Sequence, residues 1–343
     1  MQSLTISTEF HKSIEMNDLD FRIAVAPMMD YTDRHCRFLF RLLSPSALLY
    51  TEMVTTQALL RGDVDRHLAF DSSEHPVALQ LGGSDSRELA ACAQLGEEWG
   101  YDEINLNCGC PSDRVRDGQF GACLMADPVR VRDCVQAMSD AVSIPVTVKC
   151  RIGIEPREDN LDDYEFLARF IATVHEAGCT RFIVHARNAV LGGLSPKQNR
   201  EIPPLRYEIV ERLRHAFPQC AFILNGGIKD IGAAQTALAR FAGVMIGREA
   251  YQNPYLLAQL HQLMHPGAPL PERSDVVARY AQYVEERSAE GHRMQSMVRH
   301  LLGLYTGQPG ARSWRRFLSE RASGAAPDSN WVLDSLRIVD RAA

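Results

Sequence analysis

Along most of the chain, short runs of β-branched and apolar residues alternate with longer stretches in which apolar positions recur every three or four residues. The short runs predict strands buried on both faces, and the longer stretches predict amphipathic helices. The runs fall at 23–26, 48–51, 77–81, 104–107, 146–149, 182–185, 222–225 and 244–246. Helical patterns lie between them, among them 87–99, 128–141, 164–177 and 205–215. Eight such alternations predict parallel strands, and eight is the number that closes a TIM (β/α)8 barrel of the α/β class. A doubly wound open sheet is the alternative that the same pattern allows.

The texture changes after residues 266–271, whose prolines and glycine cannot continue a helix and read as a linker. Ser274 is placed to cap a helix running to Glu290 with Gly291 as its stop, and further helical patterns centre on Leu301, Phe317 and Leu336. The expected organisation is a barrel over 1–262 and a helical-bundle domain over 272–343.

Composition narrows the class. A chain of 343 residues, 45% hydrophobic and 23% charged, is an ordinary globular protein, which excludes disordered and fibrous classes. The net charge of −6 repels nucleic acid, so any RNA binding has to come from a local basic face. Nine scattered cysteines predict reduced thiols rather than a disulfide framework. Residues 1–20 lack the apolar run of a signal peptide, and no stretch approaches the roughly 20 apolar residues of a membrane helix. A cytoplasmic location is expected.

In a barrel the reacting groups lie at the C-terminal ends of the strands and on the loops that follow. Those positions hold Pro27, Met28 and Met29 after the first strand and Gln80 after the third. Asn105-Leu106-Asn107-Cys108-Gly109-Cys110-Pro111-Ser112 follows at the fourth. Lys149 and Arg151 end the fifth strand and His185 the sixth, and Asn225, Gly226 and Gly227 follow the seventh. Gly247 and Arg248 follow the eighth. Barrels commonly hold a cofactor phosphate on the last two loops, where glycine admits the anion, backbone N–H groups grip it and an arginine fork completes the site. Either loop alone reads as plain chain reversal; the pair, with Arg248, reads as a phosphate site.

For a flavin on that phosphate, Gln80 offers a donor and an acceptor to the pyrimidine edge, and Lys149 places positive charge near N1 and O2. His185 suits the phosphate, the ribityl chain or the substrate base. Taken singly, each is equally a residue that ends a strand or sits satisfied in a core. Asn105 and Asn107 point the same way from the fourth strand. Cys110, between a glycine and a proline that fix its turn, is the candidate proton donor. Core packing and metal binding by Cys108-x-Cys110 compete with that reading, but no second Cys or His pair stands at ligand spacing, and no metal is expected. Cys36, Cys92, Cys123, Cys134, Cys150, Cys179 and Cys220 fall in helix or strand patterns and read as inert packing.

These segments resemble the tRNA-dihydrouridine synthases. The resemblance is carried by Ala26-Pro27-Met28-Met29-Asp30-Tyr31-Thr32-Asp33, Leu79-Gln80-Leu81-Gly82-Gly83, the 105–112 motif, Val148-Lys149-Cys150-Arg151, His185-Ala186-Arg187, Asn225-Gly226-Gly227-Ile228 and the segment 244–250, and runs from about residue 22 to the C-terminal helices. Segments 50–56 and 194–205 are similar to the bacterial A subfamily, which acts on uridines 20 and 20a of the tRNA D-loop. The resemblance implies an FMN barrel with a helical RNA-binding domain and NADPH as electron donor. Flavin contacts fall on Pro27, Met28, Met29, Gln80, Lys149, His185, Asn225, Gly226, Gly227, Gly247 and Arg248. Hydride passes from flavin N5 to C6 of a flipped uracil, and Cys110, at the position of the family's donor, protonates C5. Asn107, with Arg151 or His185, is expected to hold the base edge. Cys108, a second thiol two residues away, is the one complication.

For tRNA the candidate surface is 292–316, which carries Arg293, Arg299, Arg312, Arg315 and Arg316, with His292 and His300, and no acidic residue. Trp314 and Tyr305 are expected to offer stacking faces. Lys197 and Arg200 are expected to touch RNA beside the site. A monomer is expected. Two other readings fit parts of the pattern: a flavin barrel acting on a free pyrimidine, and a non-catalytic RNA-binding protein on an old barrel.

Overall fold

The computed structural model describes residues 19–112, 118–157, 159–322 and 330–341; residues 1–18, most of the segment read for a signal peptide, lie outside the described residues. Eight strands follow in chain order: β1 Ile23–Val25, β2 Leu48–Tyr50, β3 Val77–Gly82, β4 Glu103–Cys108, β5 Val146–Arg151, β6 Arg181–His185, β7 Ala221–Asn225 and β8 Gly243–Ile246. Hydrogen bonds join them in the order β2-β1-β8-β7-β6-β5-β4-β3, and a β2–β3 pairing closes the ring, every ladder parallel. The TIM barrel read from the sequence is the fold, and the open sheet is excluded by that closure.

The outer helices are α1 Arg34–Leu43, α2 Ser86–Glu98, α3 Pro128–Ala141, α4 Asp163–His175, α5 Tyr207–Ala216, α6 Ile231–Leu238, α7 Arg248–Gln252 and α8 Tyr255–Met264. Five of them start at an aspartate: Asp33, Asp85, Asp127, Asp162 and Asp230 each accept a first-turn N–H. Such a cap contributes about 1 kcal/mol and fixes where the βα loop ends.

Alternation along each strand sends one residue set to the helix layer and the other into the barrel. The inner set is divided. Ala24, Leu48, Tyr50, Ala78, Ile183, Ile223 and Met245 form an apolar cluster. On the β3–β5 side the interior is polar instead, with Gln80, Glu103, Asn105, Asn107 and Thr147 all buried. The runs 77–81 and 104–107 already take in these amides, and β3 and β4 extend one residue further, to Gly82 and Cys108. The ladders continue through the amides, since Gln80 pairs in register with Asn105, and Asn107 with Lys149.

The C-terminal region is helical: α9 Arg273–Ala289, α10 Met294–Val298, α11 Ala311–Ala322, α12 Asn330–Asp334 and α13 Leu336–Asp340. Ser274 is not the cap of α9. The helix begins two residues earlier than such a cap implies, at Arg273 with Glu272 at the cap position; the Arg273 guanidinium lies 3.5 Å over the Tyr255 ring and its Nε donates to Leu304 O at 3.0 Å. Gly291, at φ +93°, reverses the chain at the other end as expected. The helical region docks on α1. Phe38 stacks on Tyr283 at 3.9 Å, His35 Nδ1 meets Tyr283 Oη at 2.8 Å, and Asp33 pairs with both Arg299 and His300. Among the described residues no helix is long and apolar enough to cross a membrane, and no group of three or more His, Cys, Asp and Glu could hold a metal ion.

Candidate active site

Register places the rim residues. Lys149 lies opposite Asn107, Arg151 opposite His185, and His185 opposite Asn225, so parallel pairing alone brings β4 to β7 to one level with their polar side chains turned inward. Cys110 follows on the loop after β4. Asn107 Oδ1 accepts hydrogen bonds from the backbone N–H groups of Gly109 and Cys110, both at 3.0 Å, which folds the loop back over its own strand. Arg151 pins the same loop from β5, donating from Nε to Gly109 O at 3.1 Å and from Nη1 to Asn199 O at 3.0 Å and Asn188 O at 3.3 Å. Cys110 Sγ is half-buried, 3.4 Å from Ser112 Oγ. Cys108 points to the opposite side of the strand and is fully buried in the helix layer, where burial pushes its thiol pKa far up.

Positive charge gathers at this rim. Burial, with Arg151 beside it, lowers Lys149 to about 8, and burial with Arg200 and Arg187 nearby lowers Arg151 to about 10. His185 is held well below its ordinary value, first by burial and then by Arg151, Lys149, Arg187 and Arg200, so its imidazole is neutral at physiological pH. Cys110 lies close enough to Lys149, Arg151 and Arg200 to interact with each. Among the described residues no hydrogen bond or ion pair engages Lys149 Nζ, and Glu201 meets Arg248 at 2.6 Å.

The last two loops have the shape of an anion cradle. Gly226 and Gly227 take φ +109° and +76°; a Cβ on the first would sit 2.6 Å from His185 Cδ2, and on the second 2.5 Å from Leu205 Cδ1. Only glycine fits there. A Cβ on Gly247 would meet open space, and Arg248 follows it as the first residue of α7. Tyr207 Oη, at the start of α5, donates to Gly226 O at 2.6 Å, and Asn225 Nδ2 donates across to Met245 O of β8 at 2.8 Å. Pro27 and Met28 are half-buried at the mouth and Met29 is exposed. Glycine backbone beside a half-buried lysine and an arginine fits a phosphate-bearing ligand.

Some expectations change. Gln80 lies inside the barrel, its Nε2 donating to Asn105 Oδ1 at 2.7 Å and its Oε1 accepting from Asn107 Nδ2 at 2.8 Å, so one donor and one acceptor site are already used. Trp314 and Tyr305 offer no stacking faces. Both are buried against each other with ring centroids 4.6 Å apart, and Trp314 Nε1 donates to Leu301 O at 3.3 Å. Arg299 and His300 are occupied by Asp33, whereas Arg293, Arg312, Arg315 and Arg316 are exposed, the last near Glu320 at 3.8 Å. Lys197 and Arg200 stand exposed on the loop after β6, which the buried Asn199 organises through bonds to Val190 and Leu194. Arg187 had no role in the sequence reading; it lies past the end of β6, where its guanidinium donates to Pro203 O and Glu201 O on the loop after that strand.

A closed (β/α)8 barrel with a cationic, glycine-lined mouth and a half-buried thiol on one loop defines the class: a barrel enzyme with its polar site at the C-terminal rim. The chain belongs to the dihydrouridine synthase (Dus) family, whose model matches residues 24–337. A tRNA-dihydrouridine(20/20a) synthase of Pseudomonas aeruginosa is 56% identical over 94% of this chain and 95% of its own length. Relatives of the same name from Yersinia pestis and Vibrio cholerae are 52% and 55% identical, covering 93% and 88% of this chain and 91% of their own.

Proposed function

We propose that this chain reduces uridine to 5,6-dihydrouridine at positions 20 and 20a of the tRNA D-loop, with FMN on the barrel rim and NADPH as electron donor. The observation that supports it most is Cys110, a thiol held by Asn107 and Arg151 at the cationic end of the barrel and backed by relatives named for this activity.

The Gly226, Gly227 and Gly247 backbones with Arg248 hold the FMN phosphate. The exposed Arg248–Glu201 pair gives little stability, so a phosphate exchanges into it readily. Lys149, Gln80, His185, Asn225 and Pro27 to Met29 surround the rest, Gln80 through the one N–H and one lone pair it has free. When bound, FMN supplies the hydride for C6 of the uracil. Cys110 gives its proton to C5, so one hydride and one proton together saturate the C5–C6 bond. Lys149, Arg151 and Arg200 offset the negative charge that develops towards O4 before that proton arrives. Asn107, through its second Nδ2 proton, and Arg151, through Nη2, hold the base edge with neutral His185.

The target uridine has to leave its stack to reach this mouth. Residues 1–262 form the catalytic unit and 272–343 the tRNA-binding domain, with Arg312 and Arg315 on phosphates and Lys197 and Arg200 guiding the strand to the rim. The protein acts as a cytoplasmic monomer. Turnover on tRNA lacking dihydrouridine, compared with turnover on free uridine, tests the reading. Dihydrouridine is expected in the tRNA alone, and equal turnover on the nucleoside would move the protein to free-pyrimidine chemistry. A colourless protein without flavin absorbance near about 450 nm would remove the enzyme reading altogether.

A further inference from the structure

Five buried side chains carry one continuous hydrogen-bond path up the inside of the barrel, from Glu103 near its base through Thr147, Asn105, Gln80 and Asn107 to the loop of Cys110. At the foot, Glu103 takes Arg181 Nη1 and Tyr50 Oη, each at 2.5 Å, and Thr147 Oγ1 at 2.7 Å. Thr147 accepts from Asn105 Nδ2 at 2.9 Å, Asn105 from Gln80 Nε2 at 2.7 Å, and Gln80 from Asn107 Nδ2 at 2.8 Å. Asn107 Oδ1 is thereby turned to the N–H groups of Gly109 and Cys110.

Every donor in this path points down the barrel, and chemistry fixes that sense. A carboxylate paired with arginine only accepts, so the Thr147 proton must face Glu103 and the threonine lone pair must face Asn105. Each amide has a donor end and an acceptor end of nearly equal shape, so its orientation follows from its neighbour. A chain with one acceptor-only end has one direction throughout. Without it, Asn107 could present its NH2 to two backbone N–H groups, a repulsive arrangement that would release the loop.

We propose that Glu103 and Thr147 are positioning residues: the carboxylate, acting through the Thr147 hydroxyl, sets the direction of the amide chain and so aims Asn107 at the backbone that holds Cys110. The proposal rests on the reading of Cys110 as proton donor for what the positioning achieves, but not for the positioning itself.

Thr147→Val keeps the shape and the Glu103–Arg181 pair while cutting the path, and Thr147→Ser keeps the hydroxyl. Thr147→Ala makes the same cut should valine not be accommodated. Two readouts apply: hydrogen exchange of the peptide holding Gly109 and Cys110, and kcat and KM on tRNA in the flavin-loaded enzyme. With Val, exchange is expected to rise about tenfold or more. At the same time kcat falls on the order of tenfold with KM within about twofold, and Ser restores both. Wild-type exchange in both Val and Ala variants would overturn the path, and so would a Ser variant that behaves as Val. If exchange follows the expected pattern while even the wild type makes no dihydrouridine, the path stands and only the reaction assigned to Cys110 falls.

Discussion

Cys108 and Cys110 stand two residues apart at the end of β4 and occupy opposite sides of the barrel wall. Cys108 is sealed among the outer helices, and Cys110 is half-buried at the mouth. A single glycine, Gly109, separates a packing thiol from one at the mouth. Cys110→Ala is expected to keep its flavin and fold and to lose about a hundredfold or more in turnover. Cys108→Ala is expected to keep turnover and to lose about 1 kcal/mol of stability. Parallel turnover and thermal-melting measurements separate them; a dead Cys108 variant with an active Cys110 variant would reverse the assignment.

On the proposed reading, Lys149 makes the flavin site sensitive to alkali. Its ammonium, lowered to about 8 by burial and by Arg151, loses its proton as pH rises through that value. Affinity for the anionic cofactor then drops by up to about tenfold per pH unit. From about 8 to its ordinary 10.5 the ligand-free fold gains stability as pH rises, because the burial penalty on the ammonium is relieved as the folded chain releases a proton that the unfolded chain keeps. Flavin titration at pH 7 to 10 should show the decline, and Lys149→Met should bind weakly and lack the step.

Asp33 clasps the helical region to the barrel through Arg299 at 2.7 Å and His300 at 3.0 Å while also capping α1. Burial opposes its charge, but bonds from His300, the Cys36 N–H and Arg299 hold its carboxyl well below the carboxylate range. A depressed carboxylate contributes stability that is fully present above its unfolded value of about 4 and is lost as pH falls below it. Asp33→Asn should cost about 2 kcal/mol at neutral pH and remove part of the acid sensitivity. Melting curves between pH 3 and 7 check both; an unchanged acid limb would mean that other carboxylates govern it.

Arg312 and Arg315 lie on the exposed side of α11, while Trp314 and Leu318 fill the inner side. Their double alanine variant should retain FMN and bind tRNA roughly tenfold more weakly, with the salt dependence of binding shallower by about 1 to 2 in its slope. Unchanged affinity at physiological salt would place the RNA elsewhere.

Much of this was legible in the chain because parallel barrel strands bury both faces and so read as continuous β-branched runs, with rim residues at their ends. Trp314 was misplaced because an arginine-rich segment draws attention to charge. Its apolar spacing to Leu318, one turn on, already marked it as core. The Asp33–Arg299 clasp joins residues 266 positions apart and leaves no local trace. Nor does the polar path beneath Cys110, where Thr147 and Glu103 look like ordinary strand and strand-edge residues until the ladder sets them side by side.

The most direct test is to map dihydrouridine in tRNA from cells lacking this protein, before and after incubation with the purified flavin-loaded protein and NADPH. New dihydrouridine at positions 20 and 20a, absent when Cys110→Ala replaces the wild type, is the expected result. Unmodified uridine at both positions after incubation with yellow, folded protein would contradict it.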